Sequence, residues 1–375
     1  MELTAVAEID IGMGKSARKA YGFDDITIVP SRRTRDPEDI DLSWEIDAYR
    51  FEVPFMASAM DSVVSPATAI EIGRHGGVGV LNLEGLWTRY EDADGVLEEI
   101  SQLDDDASMR RMQELYEAPI NPDLILQRIA EINDADVVSC AAVSPQRASD
   151  HIETILKAEL GLLVIQQPVV SAEHVSKNES EPLNLKTFVR RLEVPVIVGD
   201  CASYSAALHL MRTGAAGILV GVGTGRASTL RRVLGIGGPQ ATALADARAA
   251  RMRHLDETGV YTHIIADGSM STGGDVAKAI VCGADAVMLG APLAAATEAP
   301  GRGWHWGVQS VHPTVPQGGR VPVPPRGSLA EIINGPSHDD DGALNIAGSL
   351  RQSMAMCGYT DLKDFQKAEV LVSQQ

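Results

Sequence analysis

Short apolar runs that alternate with helix-like segments constrain the fold of this 375-residue chain most strongly. They are hydrophobic throughout rather than alternating, as strands covered on both faces of a parallel sheet are. Eight βα units in roughly 250 residues predict an α/β fold of the closed (β/α)8 TIM-barrel type, whereas an open doubly wound sheet favours about six strands and a glycine fingerprint at its first turn. The runs are Val53–Ser58, Val78–Leu83, Val137–Val143, Leu162–Gln166, Val194–Gly199, Gly217–Val220, His263–Ala266 and Ala286–Leu289.

The pattern predicts a single domain over residues 1–375. We expect an N-terminal arm at 1–50, the barrel core at 51–301, and a flap with a C-terminal extension at 302–375. The Pro/Gly-rich stretch Pro316–Gly327 cannot form a regular helix or an interior strand. It follows the eighth strand, so we interpret it as a mobile flap over a ligand, with a passive surface loop as the alternative.

Capping residues predict where three of the helices lie. Ser65-Pro66 places a serine cap and a first-turn proline at the start of the first helix. Pro239-Gln240 introduces a long alanine-rich helix through about His254. Ser271-Thr272 precedes a helix that ends near Cys282-Gly283, with glycine at its end.

Composition limits the classes of function. The net charge is −19, with no basic face to neutralise phosphates, so we expect no nucleic-acid partner. No segment is apolar enough to span a membrane, and the acidic N-terminus lacks a signal-peptide pattern, so a cytoplasmic protein is expected. Cys140, Cys201, Cys282 and Cys357 are widely spaced and form no CxxC pair, which indicates reduced thiols rather than zinc or disulfides.

A glycine-rich loop follows the sixth apolar run. Gly221, Gly223 and Gly225 let the backbone approach a ligand closely and turn its N–H groups toward an anion. Ser228 then stands where a covalent nucleophile would act. The basic side chains that follow either hold an anionic small molecule or pair with surface carboxylates, and the sequence leaves both open. They are Arg226, Arg231 and Arg232.

Other notable residues also lie at the ends of strands, where barrel chemistry belongs. Ser58, Met60 and Asp61 follow the first strand, and Asp200 follows the fifth. Asp267-Gly268 follows the seventh, and Gly290-Ala291 the eighth. Glycines after the last two strands form the usual phosphate site of this fold. Asp267 either accepts two hydrogen bonds from a ribose diol or caps the following helix.

Several motifs occur in one order along the chain: Phe23-Asp24-Asp25 with Pro30, Ser58-Ala-Met60-Asp61-Ser-Val, Gly76-Gly-Val-Gly-Val80, the glycine loop, Gly237-Gly-Pro-Gln240, Ala266-Asp267-Gly268, Val287-Met-Leu-Gly290 and Thr297-Glu-Ala-Pro-Gly301. With these motifs the chain resembles the IMP dehydrogenase/GMP reductase family over nearly its whole length. It is most similar to the short members, since the interval from Gly85 to Leu162 is too small for a βα unit and an inserted pair of CBS domains.

The resemblance implies a purine nucleoside monophosphate (IMP, GMP or XMP) as ligand. It implies NAD or NADP as the hydride-exchanging cofactor, a monovalent cation such as K⁺ held at Gly223, Gly225 and Ser228, and a homotetramer. Asp267 matches the family's ribose-binding carboxylate, and Arg326-Gly327 the flap segment under the purine. The remaining positions implied for nucleotide contact are Ser58, Met60, Asp200, Gly225, Arg226, Gly268, Gly290 and Ala291, and those implied for the cofactor are Gln166, Gly221 and Gly223.

The chain departs from the family pattern at the reactive loop. Ser228 occupies the position of the cysteine that attacks the purine; Thr229 is kept, but Leu230 replaces the second threonine. A serine needs an adjacent base, and no histidine or lysine lies beside it in sequence. Gln166 stands where an aspartate orients the nicotinamide ribose, and Ala291 replaces a serine that contacts phosphate.

Three functional hypotheses follow. The first is an NAD(P)-dependent oxidoreductase acting on a purine nucleotide, with Ser228 and Thr229 in the catalytic positions. The second is a catalytically silent or repurposed nucleotide-binding paralogue, which the serine favours. The third is a flavin enzyme that uses the same phosphate site, and the purine-family motifs count against it.

Overall fold

Eight parallel strands close into a barrel in the computed structural model, which describes residues 8–173, 184–308, 310–311 and 318–373. Neighbours along the chain pair with each other, and Val287 of the last strand lies opposite Phe55 of the first, which completes the circle. This confirms the predicted TIM barrel. The strands are β1 Phe55–Ala57, β2 Val78–Asn82, β3 Cys140–Val143, β4 Leu162–Gln166, β5 Val196–Cys201, β6 Gly217–Val220, β7 His263–Asp267 and β8 Ala286–Leu289.

Each predicted apolar run contains or overlaps one barrel strand, although some ends differ. The run predicted from Val137 becomes a strand only at Cys140, and the run predicted from Val53 only at Phe55. Pro54 has no N–H to donate to a neighbouring strand, so regular pairing starts after it. The apolar runs therefore located the strands correctly, but these two runs begin before the residues that pair with neighbouring strands.

Helices connect the strands and cover the barrel. Ser65 caps the first of them: its hydroxyl accepts a hydrogen bond from Thr68 N, and its own N–H donates to Thr68 Oγ1. The helix predicted through His254 continues to Thr258 and ends at Gly259 in the left-handed region (φ 73°). The α-helices are Pro66–Arg74, Ala93–Gln102, Asp105–Glu117, Pro122–Asn133, Pro145–Lys157, Leu185–Val189, Tyr204–Met211, Leu230–Leu234, Gln240–Thr258, Gly273–Cys282, Ala291–Ala294, Leu329–Ile333, Ile346–Cys357 and Leu362–Phe365; short 3-10 turns cover Pro37–Asp39 and Leu86–Thr88.

Short antiparallel pairs lie outside the barrel. The pair Trp44–Ile46 with Tyr49–Phe51 covers the amino-terminal end of the strands, where Trp44 stacks on Phe51 (ring centroids 5.1 Å apart) and meets His263 edge-on at 6.1 Å. The other pairs are Glu8–Gly12 with Lys15–Arg18, Ile26–Ile28 with Val370–Val372, and Trp304–His305 with Val321–Pro322. One end of the barrel is thus closed by aromatic side chains.

Burial within the strands shows where the barrel is open. All residues of β1, β2, β3, β5, β6 and β8 are buried. The partly exposed strand residues are His263, at the start of β7, and Gln166 and Asp267, at the carboxyl ends of β4 and β7. Accessible polar strand ends therefore lie opposite the aromatic floor, where barrel sites are built.

Two further expectations concern the chain as a whole. The four cysteines are free thiols; Cys140, Cys201 and Cys357 are buried and Cys282 is partly buried. In the described ranges, no helix has both the length and the apolar composition to cross a membrane.

Candidate functional site

A cavity of about 510 Å³ opens at the carboxyl ends of the strands. It gathers residues that are far apart in sequence, from the ends of β1, β4, β5, β6, β7 and β8. Among the predicted site residues its walls include Ser58, Met60, Gln166, Asp200, Gly221, Gly223, Gly225, Arg226, Ser228, Thr229, Asp267, Gly268, Gly290 and Ala291. Arg326 and Gly327 do not line it.

The glycine loop rests directly on the segment that follows β7. A Cβ on Gly221 would lie 1.8 Å from the carbonyl oxygen of Asp267, so only glycine fits there. Thr224 Oγ1 donates to the same oxygen at 3.0 Å, and Ser269 N donates to Thr224 O at 3.2 Å. The loops after β6 and β7 therefore form one continuous wall.

A carboxyl pair lies at the bottom of this wall. Gln166 Nε2 donates to Asp267 Oδ2 at 2.9 Å and is 3.4 Å from Asp200 Oδ2. Burial raises the pKa of Asp267 to about 6, and burial together with the charge of Asp267 raises the pKa of Asp200 well above its usual range. Two carboxyls in such proximity hold one proton between them near neutral pH.

Asp267 is not a helix cap. The helix that follows it, Gly273–Cys282, is capped by Thr272, which exchanges hydrogen bonds with Asp275. The carboxyl of Asp267 instead faces the cavity beside Gln166. This geometry leaves the carboxyl available to a diol.

Three buried polar atoms of the cavity walls have no hydrogen-bond partner among the described residues: Ser58 Oγ, Gln166 Oε1 and Asp200 Oδ1. Leaving a buried acceptor unpaired costs about 1–3 kcal/mol. Atoms left in this condition at the base of a cavity mark where a polar ligand binds.

Only one of the three clustered arginines lines the cavity. Arg226 is exposed at its wall and donates to the backbone oxygen of Pro322 at 3.3 Å, whereas Arg231 packs its side-chain stem against Gly223 and Gly237. In the described ranges none of the three, Arg232 included, pairs with a carboxylate. A cation therefore faces the cavity without an internal counter-ion.

Ser228 lies at the cavity mouth and is exposed. Its hydroxyl accepts a hydrogen bond from Leu230 N at 3.4 Å, and its own N–H donates to Gly225 O at 3.0 Å. Within the described part of the chain, no histidine, lysine or carboxylate is hydrogen-bonded to this hydroxyl. His263 lies at the opposite end of the barrel, so it cannot serve as the base.

The segment after the cavity rim holds two residues that the resemblance placed at the purine. Arg326 instead donates from its backbone N–H to Ala295 O at 2.8 Å, and its guanidinium pairs with Asp339 and Asp341. Gly327 bridges to Ala296. The structure therefore does not bring Arg326 and Gly327 into the cavity, because local ion pairs and backbone bonds hold them outside it.

The Pro/Gly-rich stretch contributes to the cavity through Gly318 and Gly319. Its first residues, 316 and 317, lie outside the described part of the chain. Further along, the guanidinium of Arg320 lies 3.7 Å from the ring centroid of Trp304, and the arginine donates to the backbone oxygens of Ile100 and Leu103. The described end of this stretch is therefore anchored, and its motion stays a prediction.

The predicted cation site stays a prediction as well. Among the described residues there is no cluster of three or more His, Cys, Asp or Glu side chains that would hold a metal ion. A monovalent cation would instead use backbone oxygens, and the Gly225 carbonyl already accepts the N–H of Ser228.

Sequence reasoning missed a histidine of the cavity wall. His305 is 2% exposed, and its Nδ1 lies 3.0 Å from Ser62 Oγ. Burial and the nearby charge of Arg226 lower its pKa to about 4. Its only sequence signal is its place after the Thr297–Gly301 motif, which says nothing about where the ring points.

Fold and site together define a (β/α)8-barrel protein with a glycine-walled cavity, lined by polar side chains, at the carboxyl ends of its strands. A family model described as the IMP dehydrogenase/GMP reductase domain matches residues 20–312. The chain belongs to the IMP dehydrogenase/GMP reductase family of oxidoreductases, and the predicted resemblance is confirmed.

The similar proteins fall into two groups, short relatives of about the length of this chain and longer inosine-5'-monophosphate dehydrogenases. An uncharacterized oxidoreductase of Mycolicibacterium smegmatis is 49% identical over 373 residues, which cover 97% of this chain and 99% of the relative. The crystal structure of an IMP dehydrogenase/GMP reductase-like protein from Corynebacterium glutamicum is 46% identical, with a TM-score of 0.91 and 98% of both chains covered. An inosine-5'-monophosphate dehydrogenase of Methanocaldococcus jannaschii is 25% identical over 473 residues, covering 94% of this chain and 92% of the relative. The chain thus groups with short relatives that are distinct from the inosine-5'-monophosphate dehydrogenases.

Proposed function

We propose that this protein is an oxidoreductase that binds a purine nucleoside monophosphate and transfers hydride to or from a nicotinamide cofactor, with Ser228 in place of the family's cysteine. The observation that carries the proposal is the cavity itself. One wall offers glycine turns and a cation, and the base offers a carboxyl pair with unpaired buried acceptors.

The walls match the parts of a nucleotide. The phosphate fits near Gly268, Gly290 and Arg226, because close backbone approach and an unpaired guanidinium favour a dianion. The ribose diol fits at Asp267, whose carboxyl is held by Gln166 at 2.9 Å. A nucleotide seated in this way reaches from the strand ends toward the glycine loop.

NAD or NADP would supply the hydride acceptor or donor, as is typical of the family. The residues assigned to it, Gln166, Gly221 and Gly223, all line the cavity, which is compatible with a second ligand beside the nucleotide. By analogy with the family we also propose a cytoplasmic homotetramer that uses K⁺ at the glycine loop.

A second candidate is a nucleotide-binding paralogue without hydride transfer. The environment of Ser228 favours it: the hydroxyl is exposed, and none of the described residues that could act as a base is bonded to it. Serine attacks as an alkoxide only when a neighbour takes its proton. Loss of a nucleophile commonly costs several powers of ten in rate.

Thermal unfolding with added ligand tests the binding step shared by both candidates. Saturation with IMP, GMP or XMP at about 100 times the dissociation constant adds about 2.7 kcal/mol of stability. We expect a larger rise in melting temperature with a purine monophosphate than with FMN. If no purine monophosphate stabilises the protein, both candidates are wrong.

Turnover then separates the two. Wild type and Ser228→Cys are assayed with NAD(H) and NADP(H) on IMP and GMP. Hydride transfer by the wild type establishes the oxidoreductase. Activity that arises only in the cysteine variant supports the binding paralogue, since a thiol offers a few per cent thiolate at neutral pH.

A further inference from the structure

His305 lies on the side of the cavity assigned to phosphate, yet it has no role in the function proposed so far. It belongs to the short strand Trp304–His305, which pairs with Val321–Pro322 beyond the barrel. His305 is 2% exposed and is one of the residues that line the cavity.

Ser62 is the hydrogen-bond partner of one ring nitrogen. Trp306 N donates to Ser62 Oγ at 3.4 Å, and Ser62 Oγ lies 3.0 Å from His305 Nδ1. A hydroxyl has one proton and two lone pairs, so Ser62 can donate to Nδ1, and a neutral ring then carries its own proton on Nε2. Burial and the charge of Arg226 lower the pKa of His305 to about 4, so the ring is neutral at physiological pH.

The Nε2 edge of the ring meets Gly290 and Ser58. A Cβ on Gly290 would make ordinary contact with both groups, at 3.5 Å from His305 Nε2 and 3.4 Å from Ser58 Oγ, so the two polar atoms flank the bare backbone of this glycine. Ser58 Oγ is buried and has no hydrogen-bond partner within the described ranges. An N–H donor and a free hydroxyl thus converge beside the backbone at the end of β8.

A second chain of hydrogen bonds holds the neighbouring residue. Trp306 Nε1 donates to Tyr116 OH at 2.9 Å, and Tyr116 OH donates to Asp61 Oδ2 at 2.5 Å. Asp61 and Ser62, both after β1, therefore hold residues 305 and 306 against the barrel. The imidazole is pre-positioned and needs little reorganisation to bind.

We propose that His305 Nε2–H donates a hydrogen bond to the phosphate of the bound nucleotide and, with Ser58 and Arg226, makes up its phosphate-recognition site. This proposal rests on the proposed function, because it assumes that the cavity takes a nucleoside monophosphate. Ser62 acts as the positioning residue that sets the tautomer of His305.

The test is isothermal calorimetry of IMP and GMP binding to purified full-length variants. His305→Phe removes the donor, and His305→Gln keeps an N–H near the position of Nε2. His209→Gln, on an exposed helix position, is the matched control. We expect about tenfold weaker binding for His305→Phe, as for loss of a hydrogen bond to a charged group, and a change under threefold for the other two.

The outcomes separate this proposal from the one on which it rests. If the wild type binds no purine monophosphate, the proposed function fails and this inference fails with it. If the wild type binds and His305→Phe binds equally well, only the histidine assignment is wrong. Equal losses in His305→Phe and His305→Gln would indicate a packing role and also overturn it.

Ser62→Ala provides a second route if His305→Phe does not fold. Without the hydroxyl, His305 Nδ1 and Trp306 N both lose their hydrogen-bond partner, so we expect about threefold weaker nucleotide binding in a protein that still folds but melts at a lower temperature. Unchanged affinity in a folded Ser62→Ala protein contradicts the positioning of His305.

Discussion

Two aspartates at opposite ends of the neighbouring strands β7 and β8 have contrasting surroundings. Asp285, at the amino-terminal floor, accepts hydrogen bonds from Arg251 Nη1 at 2.6 Å and from Tyr261 OH at 2.6 Å. Asp267, at the carboxyl rim, faces a second carboxyl, that of Asp200, across Gln166. The first carboxylate is neutralised by a cation, and the second is placed beside another carboxyl.

This difference indicates that the carboxyl group at one end of the barrel stabilises the fold, whereas the one at the other end lies at the candidate ligand site. Asp285 also accepts from Ile264 N at 2.8 Å, so it fastens the start of β8 to β7 and to a covering helix. Asp267 gains no such partner, and burial raises its pKa to about 6. The carboxylate at the floor is thus paired for folding, whereas the carboxyl at the rim faces the cavity.

The largest effect is expected from Asp285→Ala. Removing one partner of a buried ion pair leaves Arg251 uncompensated, which costs about 3–5 kcal/mol of unfolding free energy. Urea denaturation measures the loss. Glu45→Ala is the control, because its pair with Arg50 is exposed and worth about 0–1 kcal/mol. If the two variants lose the same stability, the floor has no special role.

Gly221→Ala tests the wall that joins the two rim loops. A methyl group there would lie 1.8 Å from Asp267 O, so the two loops must separate. We expect the unfolding free energy to fall by about 1–3 kcal/mol and nucleotide binding to weaken. Gly225→Ala is the matched control: a Cβ there meets no atom within 4 Å, and the expected change is about 0.5 kcal/mol or less. Equal urea midpoints for the two variants would contradict the close packing of these loops.

Much of the fold could be predicted from sequence because its signals are local. Apolar runs locate all eight strands, and the capping pattern at Ser65 fixes a helix start to the residue. Errors arise where tertiary pairing sets the boundary, as at Cys140, or where a stop signal such as Gly259 is further along the chain.

The site was only partly predictable. Strand ends in a barrel converge by geometry, so Asp267 and Gly290 could be placed at one cavity from the βα pattern alone. Side-chain partners come from distant segments and carry no sequence signal. This is why the position of the His305 ring at the cavity was missed, and why the pairing of Arg326 with Asp339 and Asp341 was not foreseen; its role at the purine stays a prediction.

The pH dependence of stability sharpens the contrast between the two aspartates. The pKa of Asp267 is about 6 when folded against a usual 3.8, so its protonation favours the folded state below pH 4, and this contribution is lost as pH rises through 6. Asp267→Asn removes this ionisation and also the charge that helps to raise the pKa of Asp200, so the difference from wild type reports on the carboxyl pair. We expect its advantage over wild type in urea to grow by about 1–2 kcal/mol between pH 4 and 7, since cavity water screens part of the full shift.

Glu45→Gln on the surface serves as the control for that measurement, with a curve expected to run parallel to wild type. Asp61 is another buried carboxyl whose pKa is raised to about 6, and it is present in all the proteins, so it cancels in the difference. Parallel curves for wild type and Asp267→Asn would contradict the raised pKa values of the Asp200–Asp267 pair.

The smallest effect is expected from Ser228→Ala. This variant tests whether the Ser228 hydroxyl, at the cavity rim, contributes to nucleotide binding. The Ser228 side chain is exposed, and its hydroxyl accepts a 3.4 Å hydrogen bond from Leu230 N, which water can replace. We expect a change in unfolding free energy within about 0.5 kcal/mol and IMP affinity within about threefold of wild type. Urea denaturation and calorimetry measure the two. A tenfold loss of affinity would instead place the hydroxyl in the nucleotide contact, because a residue so weakly tied to its own loop can affect binding only through the ligand.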